Sequence, residues 1–474
     1  MNDMTHPQPA QLYRQIYERV RRSIVEGRLQ PGDRLPSARS YAQELGVARG
    51  TVDLAYAILA GEGYVESRGR AGTRVATGLR CLPNERAPGS TASAGSAGKT
   101  IRQHGLLPLA AGVPAFDLFP RKLWTQLVRR HARTLGRSEL TYPDPQGSLK
   151  LREAVAAHLA VSRGVTAAPD EILITGGFQS AVGLVVKTLL SPGEAAWVED
   201  PGYVPIRLAL AQIGAEAIPV PVDEEGLDVA AGIRIAPKAR LAVVAPAHQF
   251  PMGVTLSLPR RLQLLDWAER TQGWVLEDDF DGEFRYQGRP LPALKSLDRA
   301  GRVFYTGTFS KTLFPALRLG FLVVPRSELE RFRQLMRFLD GGRSALEQAV
   351  TAEFLSEGHF ARHIKKMRSA YRSRREALAT ALAVCFGDGA QIEQAAGGLH
   401  LLLRVKGGLG AIEHMHWTSD QALGAIPMRV LTDRPDLQDG LLVGFANLPE
   451  RQAPSLAAQL HAIIQAARKH DGTP

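Results

Sequence analysis

Between residues 78 and 105 the chain loses every apolar period, and that interruption decides how the rest can fold. The run Pro83-Asn84-Glu85-Arg86-Ala87-Pro88-Gly89-Ser90-Thr91-Ala92-Ser93-Ala94-Gly95-Ser96-Ala97-Gly98 holds small and turn-forming residues that cannot build a core, so it reads as a flexible linker. The 474 residues therefore divide into a compact segment over 8–77 and a much longer one over 106–468. In the longer segment short apolar runs, Ile172-Leu173-Ile174, Ala195-Ala196-Trp197-Val198, Leu241-Ala242-Val243-Val244 and Trp274-Val275-Leu276, each end near Gly, Pro or acidic residues and precede helical patterns. That alternation predicts an α/β fold with a large, mostly parallel sheet, followed by a smaller C-terminal α+β part.

The first segment carries Leu12, Ile16, Val20 and Ile24 at helical spacing, stopped by Gly27-Arg28-Leu29-Gln30-Pro31-Gly32. Ser37 is placed to cap a second helix through Tyr41, Ala42 and Leu45, Gly46 ends it, and Ala48 to Leu59 forms a third. Two short helices joined by a tight Gly turn make a helix-turn-helix, whose second member enters the major groove. Arg49, Thr51 and Tyr56 are the expected reading face, with Ser37 and Arg39 near the backbone. A hairpin over Tyr64 to Val75 follows, its basic tip holding Arg68, Arg70, Gly72 and Thr73. The formal net charge of +11 suits a polyanionic partner. These residues resemble the GntR family of bacterial regulators in Leu35-Pro36-Ser37, Arg39, Leu45-Gly46-Val47, Thr51-Val52, Ala55-Tyr56, Glu62-Gly63-Tyr64 and Gly72-Thr73. Ala48 departs from that pattern, where the family has a serine.

In the second segment the most informative stretch is Thr306-Gly307-Thr308-Phe309-Ser310-Lys311-Thr312-Leu313-Phe314-Pro315-Ala316-Leu317-Arg318-Leu319-Gly320. A lysine among small and hydroxyl residues just after a strand is suited to an imine, and Thr308, Ser310 and Arg318 are suited to a phosphate. Upstream, Glu277-Asp278-Asp279-Phe280-Asp281 ends an apolar strand, and an acid there pairs with a protonated pyridine nitrogen. Asp278 is the expected acid, with Asp279 as the alternative. Thr175-Gly176-Gly177-Phe178-Gln179-Ser180 lies between a strand and a helix, where backbone N–H groups meet a phosphate. Glu199-Asp200-Pro201-Gly202-Tyr203, with Arg207 one turn on, and Pro246-Ala247-His248-Gln249-Phe250-Pro251-Met252-Gly253 follow two more strands.

These motifs look like the fold-type I aminotransferases, and specifically like the MocR group of regulators, in which a GntR-type winged helix-turn-helix is fused to such a domain. The resemblance implies pyridoxal 5'-phosphate (PLP) as cofactor, a Schiff base on Lys311, and Asp278 on the pyridine nitrogen. Gly177, Phe178, Gln179, Thr308, Ser310 and Arg318 then surround the phosphate, and Tyr203 and His248 approach the ring. By the same resemblance Tyr142 reaches the phosphate of a neighbouring subunit, which implies a homodimer. Two departures touch function. Phe280 stands where the group has a tyrosine, so a phenol that would bond the cofactor's ring oxygen is missing. Leu441-Leu442-Val443-Gly444-Phe445-Ala446 lacks the arginine that aminotransferases place there for a substrate carboxylate, which leaves Arg207, Arg429 or Arg434 for that role.

The basic run Arg362-His363-Ile364-Lys365-Lys366-Met367-Arg368 with Tyr371, Arg372, Arg374 and Arg375 reads as an amphipathic helix in preference to a second DNA-facing patch. Two cysteines, Cys81 and Cys385, and an N-terminus without a basic start and apolar stretch point to the cytoplasm. The expectation is a PLP-dependent transcriptional regulator that binds operator DNA and senses PLP or a small amine or amino acid at Lys311. The rival is a working aminotransferase with an appended DNA-binding head. A domain that merely dimerises, without cofactor, conflicts with the retained lysine and acid.

Overall fold

The computed structural model describes residues 9–67, 69, 72–78, 107–288, 292–339, 341–409 and 423–470. The chain divides into two compact units, Met1–Thr100 and Ile101–Pro474. Most of the expected linker, and the hairpin-tip residues Arg68 and Arg70, lie outside the described residues.

In the first unit α1 (Pro9–Val25), α2 (Ala38–Leu45) and α3 (Arg49–Gly61) precede the antiparallel strands β1 (Val65–Ser67) and β2 (Thr73–Val75). Ile16, Val20 and Ile24 recur on one face of α1 and bury with Val52, Ala55 and Leu59 of α3, and Leu35, Val65 and Val75 complete this core. The Ser37 hydroxyl caps α2 by accepting from Ser40 N at 3.1 Å, and Gly46 ends it in a left-handed conformation at φ 67°. Ala48 caps α3 with no side-chain bond.

The second unit begins with α4 (Arg121–Thr134) and α5 (Leu149–Arg163). It continues through β3 (Ile172–Thr175), α6 (Phe178–Leu189), β4 (Ala195–Asp200), α7 (Val204–Gln212), β5 (Glu216–Asp223), β6 (Gly226–Leu227), α8 (Val229–Ile235), β7 (Leu241–Val244), α9 (Leu258–Thr271), β8 (Trp274–Asp279), β9 (Val303–Thr308) and β10 (Gly320–Val323). These strands form one sheet in the order β3-β10-β9-β8-β7-β4-β5-β6. β5, β4, β7, β8 and β9 run parallel; β10 is antiparallel to both its neighbours, and β6 to β5. β3 and β7 are buried along their whole length, as strands covered by helices on both faces must be. On one face Trp197 of β4 stacks on Trp267 of α9 with centroids 4.1 Å apart.

After α10 (Leu329–Leu339), α11 (Ala345–Ser356) and the long α12 (His359–Phe386), a smaller antiparallel sheet follows. Its strands β11 (Ala390–Glu393), β12 (His400–Val405), β13 (Ile426–Pro427) and β14 (Gly440–Gly444) take the order β11-β12-β14-β13, and α13 (Ala453–His470) packs on α12. The basic run is the amphipathic stretch of α12. Ile364, Met367 and Tyr371 are buried, and Arg374 turns inward to pair with Asp117 at 2.5 Å. The fold is that of the fold-type I aminotransferases, and the carboxyl ends of β3, β4, β7, β8 and β9 open on one side of its sheet.

Candidate cofactor site and DNA-binding face

Three acidic residues end β8, and strand alternation sends them to different fates. Glu277 accepts from Leu294 N and Lys295 N, both at 2.8 Å, and burial pushes its carboxyl up to about 7. Asp279 is spent on the fold. It pairs with Arg163 at 2.6 Å, accepts from the Tyr305 hydroxyl at 2.6 Å and accepts from Gly282 N at 3.1 Å. Asp278, between them, is 8% exposed, and its Oδ1 has no partner among the described residues. Burial, reinforced by Asp279 and Asp281, raises its carboxyl well above the usual range, while Lys311 draws it down. A buried oxygen in that condition calls for a cationic donor. The geometry thereby separates Asp278 from Asp279, which the sequence left open.

Lys311 follows β9, and burial lowers its amine below the ordinary value against the pull of Asp281 and Asp278. Its Nζ lies 2.7 Å from where a Cβ on Gly112 would stand. Gly112 also has φ +72°, so any side chain there would strain the backbone and collide with the amine. No motif marked Gly112 in the sequence. Thr308 is buried and its Oγ1 accepts from Ser310 N at 3.1 Å, which tightens the turn into Lys311.

Gly177, at φ +96°, caps the N-terminus of α6. A Cβ there would lie 3.9–4.0 Å from the Arg318 guanidinium, and one on Gly176 would lie 3.1 Å from that of Arg343. Two guanidiniums thus flank the Gly176–Gly177 turn, where helix N–H groups already favour an anion. Arg343 was not singled out by sequence, because it comes from the loop before α11, far along the chain. Gln179 is exposed and hydrogen-bonds Tyr203. The Tyr203 ring stands 5.8 Å from Phe178 and 5.9 Å from Phe250.

His248 is 6% exposed and shares a hydrogen bond with Asp281 through Nδ1 at 3.1 Å. Its ring is 6.1 Å from Phe280 and 5.8 Å from His400. His400, unforeseen from the sequence, donates from Nε2 to Pro251 O at 3.0 Å, and burial brings its pKa down to about 4. Phe280, the residue that stands in place of the group's tyrosine, lies 6.2 Å from Phe250. Tyr142 is 95% exposed on this single chain and makes no part of its own site.

The proposed carboxylate arginines are arranged differently. Arg207 pairs with Asp200 at 3.2 Å and with Asp433 at 3.4 Å. Arg429 is partly buried in the Met428–Val430 turn. Arg434 binds Asp436 at 2.8 Å and Val222 O at 3.1 Å.

In the first unit Arg39 and Arg49 are exposed and Thr51 is partly exposed, with Arg49 paired to Asp53 at 3.3 Å one turn on. Tyr56 corrects the expected reading face. It is 7% exposed, its ring lies 6.4 Å from Tyr41 in the core, and its hydroxyl donates to Pro36 O at 3.1 Å. Helical period explains the turn inward, since Val52, Ala55, Tyr56 and Leu59 share the buried face of α3, whereas Arg49, two turns before Tyr56, is exposed because it opens the helix. Gly72, at φ +84°, leaves room for the Arg34 guanidinium 3.2–3.7 Å from its missing Cβ, and Thr73 opens β2.

A partly buried amine, a buried acid with an unpartnered oxygen, two guanidiniums at a glycine turn and an aromatic wall fit one phosphorylated pyridine aldehyde. Fold and site together define a PLP-binding unit of aminotransferase architecture carried behind a winged helix-turn-helix. The comparisons agree. The model for aminotransferase class I and II matches residues 105–422, and that for bacterial regulatory proteins of the gntR family matches residues 12–75. The probable rhizopine catabolism regulatory protein MocR of Rhizobium meliloti is 35% identical over 92% of this chain and 90% of its own. The pyridoxine biosynthesis transcriptional regulator PdxR of Corynebacterium glutamicum is 34% identical over 84% of each chain. Among solved structures, the α-aminoadipate aminotransferase LysN of Thermus thermophilus superposes with a TM-score of 0.69 at 28% identity, covering 77% of this chain and 94% of its own. The chain belongs to the MocR type of GntR-family transcription regulators, whose aminotransferase-like domain is built for PLP.

Proposed function

We propose that this regulator binds operator DNA through a head spanning 8–77, joined by a linker over 78–105 to a sensor and dimerisation domain over 106–468. The sensor reads PLP, or a small amine or amino acid that exchanges with Lys311 on it. The observation that carries this reading is the Asp278 oxygen left without a partner beside Lys311, while its neighbour Asp279 is fully engaged. When bound, PLP supplies an electrophilic carbonyl carbon and an electron-withdrawing ring.

The chain's own residues do the rest. Lys311 would hold the cofactor through its side-chain amine, whose neutral form burial makes more abundant. Asp278 holds the proton on the ring nitrogen. Gly177, Phe178, Gln179, Thr308, Ser310 and Arg318 receive the phosphate, with Tyr142 arriving from the second subunit. Tyr203, His248 and Phe280 line the ring. On the head, Ser37, Arg39, Arg49, Thr51 and the hairpin residues Arg68, Arg70, Gly72 and Thr73 meet DNA. A ligand shifts DNA binding only by its differential affinity for two arrangements of the dimer, and exchange at Lys311 changes charge and contacts at one point that both can read. The PdxR relative, a transcriptional regulator of pyridoxine biosynthesis, supports a PLP-responsive switch.

Titration with PLP followed by absorbance tests the reading. A visible imine band is expected with the wild type and none with Lys311→Ala. Absence of the band in the wild type would remove the cofactor from the account, and steady turnover of an amino donor with a keto acid would replace the sensor by an enzyme.

A further inference from the structure

Arg207 is held from two sides by carboxylates of very different character. Asp200, from the end of β4, is 7% exposed and belongs to the wall of the domain. Asp433 reaches Arg207 Nη1 at 3.4 Å from the smaller sheet's side of the unit, with its side chain 92% exposed while that of Arg207 is 28% exposed. Arg207 stands one turn into α7 from its N-cap Tyr203, whose ring forms part of the aromatic wall with Phe178 and Phe250. The segment bearing Asp433 is docked there by more than that ion pair. Gly202 N donates to Leu431 O at 3.1 Å, and Met428 and Leu431 pack against Val204 and Phe250. The same segment carries Arg429 in the turn Met428–Val430.

We propose that Asp433 is an internal stand-in for the carboxylate of an amino-acid effector, occupying Arg207 until the ligand's own carboxylate displaces it. The inference rests on the reading of the site as an amine sensor and narrows its ligand to compounds carrying both an amine and a carboxylate. The amine exchanges with Lys311 Nζ, which leaves as a free amine with no net redox change. The carboxylate meanwhile takes the outer face of Arg207, with Asp200 keeping the guanidinium aimed. An exposed ion pair is weak, so a ligand carboxylate can replace it at small cost. Asp433 then sets the threshold concentration for such ligands and discriminates against plain amines, which leave the Arg207–Asp433 pair intact.

The test uses the full-length protein loaded with PLP, titrated with β-alanine and with propylamine, and read by the shift of the imine absorbance. In Asp433→Asn the apparent affinity for β-alanine should rise about two- to fivefold, the range an exposed ion pair corresponds to, with propylamine unchanged. In Arg207→Met the preference of β-alanine over propylamine should disappear. Equal shifts for both amines in Asp433→Asn, no change for either, or a PLP-loaded protein that takes up neither amine would overturn the proposal. Failure to form the imine band at all would instead defeat the sensor reading beneath it.

Discussion

The exposed start of α3 and the buried end of β8 hold the residues proposed for the chain's two chemistries, and they hold them in opposite ways. On α3 the proposed DNA-contacting groups, Arg49 and Thr51, lie outside the core of Val52, Ala55, Tyr56 and Leu59. At β8 the proposed cofactor-binding acid, Asp278, lies between two acids that hold the fold together. Surface recognition leaves function and stability separable, whereas a buried site binds them within one residue of each other.

The largest effect should come from confusing the neighbours at β8. Asp279→Ala strands the buried Arg163 guanidinium and should cost about 3–5 kcal/mol in denaturant unfolding. Asp278→Ala should leave the unfolding midpoint close to wild type but weaken PLP binding by about 1.5–3 kcal/mol, roughly tenfold to a hundredfold. Similar stability losses in the two variants would erase the distinction.

Acid should weaken the second unit through His400. Its folded pKa is about 4 against 6.5 when exposed, so between those values the unfolded chain holds the extra proton. Stability contributed by the neutral ring is complete above about 6.5 and declines as pH falls toward 4, by up to about 3 kcal/mol. His400→Gln should flatten that slope in pH-dependent melts, and an unchanged slope would move the acid sensitivity elsewhere.

Smaller effects sharpen the surface side of the comparison. Arg49→Ala should weaken DNA binding and lower the salt slope by about 1, with the PLP absorbance unaltered. Ala48→Ser should supply the side-chain cap that α3 lacks and stabilise the head by about 0.5–1 kcal/mol in thermal melts.

Local signals in the sequence were enough for much of this. The runs at Ile172, Ala195, Leu241 and Trp274 became β3, β4, β7 and β8 because buried parallel strands are written as continuous apolar stretches. Ser37 and Gly46 announced both ends of α2 by their own cap chemistry. What escaped was set by distance along the chain or by helix phase. Gly112, Arg343, His400 and Asp433 join the site from segments whose local pattern says nothing of their neighbours. Tyr56, expected on the reading face with Arg49 and Thr51, is buried with Val52, Ala55 and Leu59 of α3.

If the head's DNA affinity answers to chemistry at Lys311, fluorescence anisotropy with the upstream intergenic DNA will register it. Binding should change on addition of PLP, or of an amino acid after PLP, and Lys311→Ala should still bind DNA but lose the response. DNA binding identical with and without either ligand, in wild type and variant alike, would contradict it.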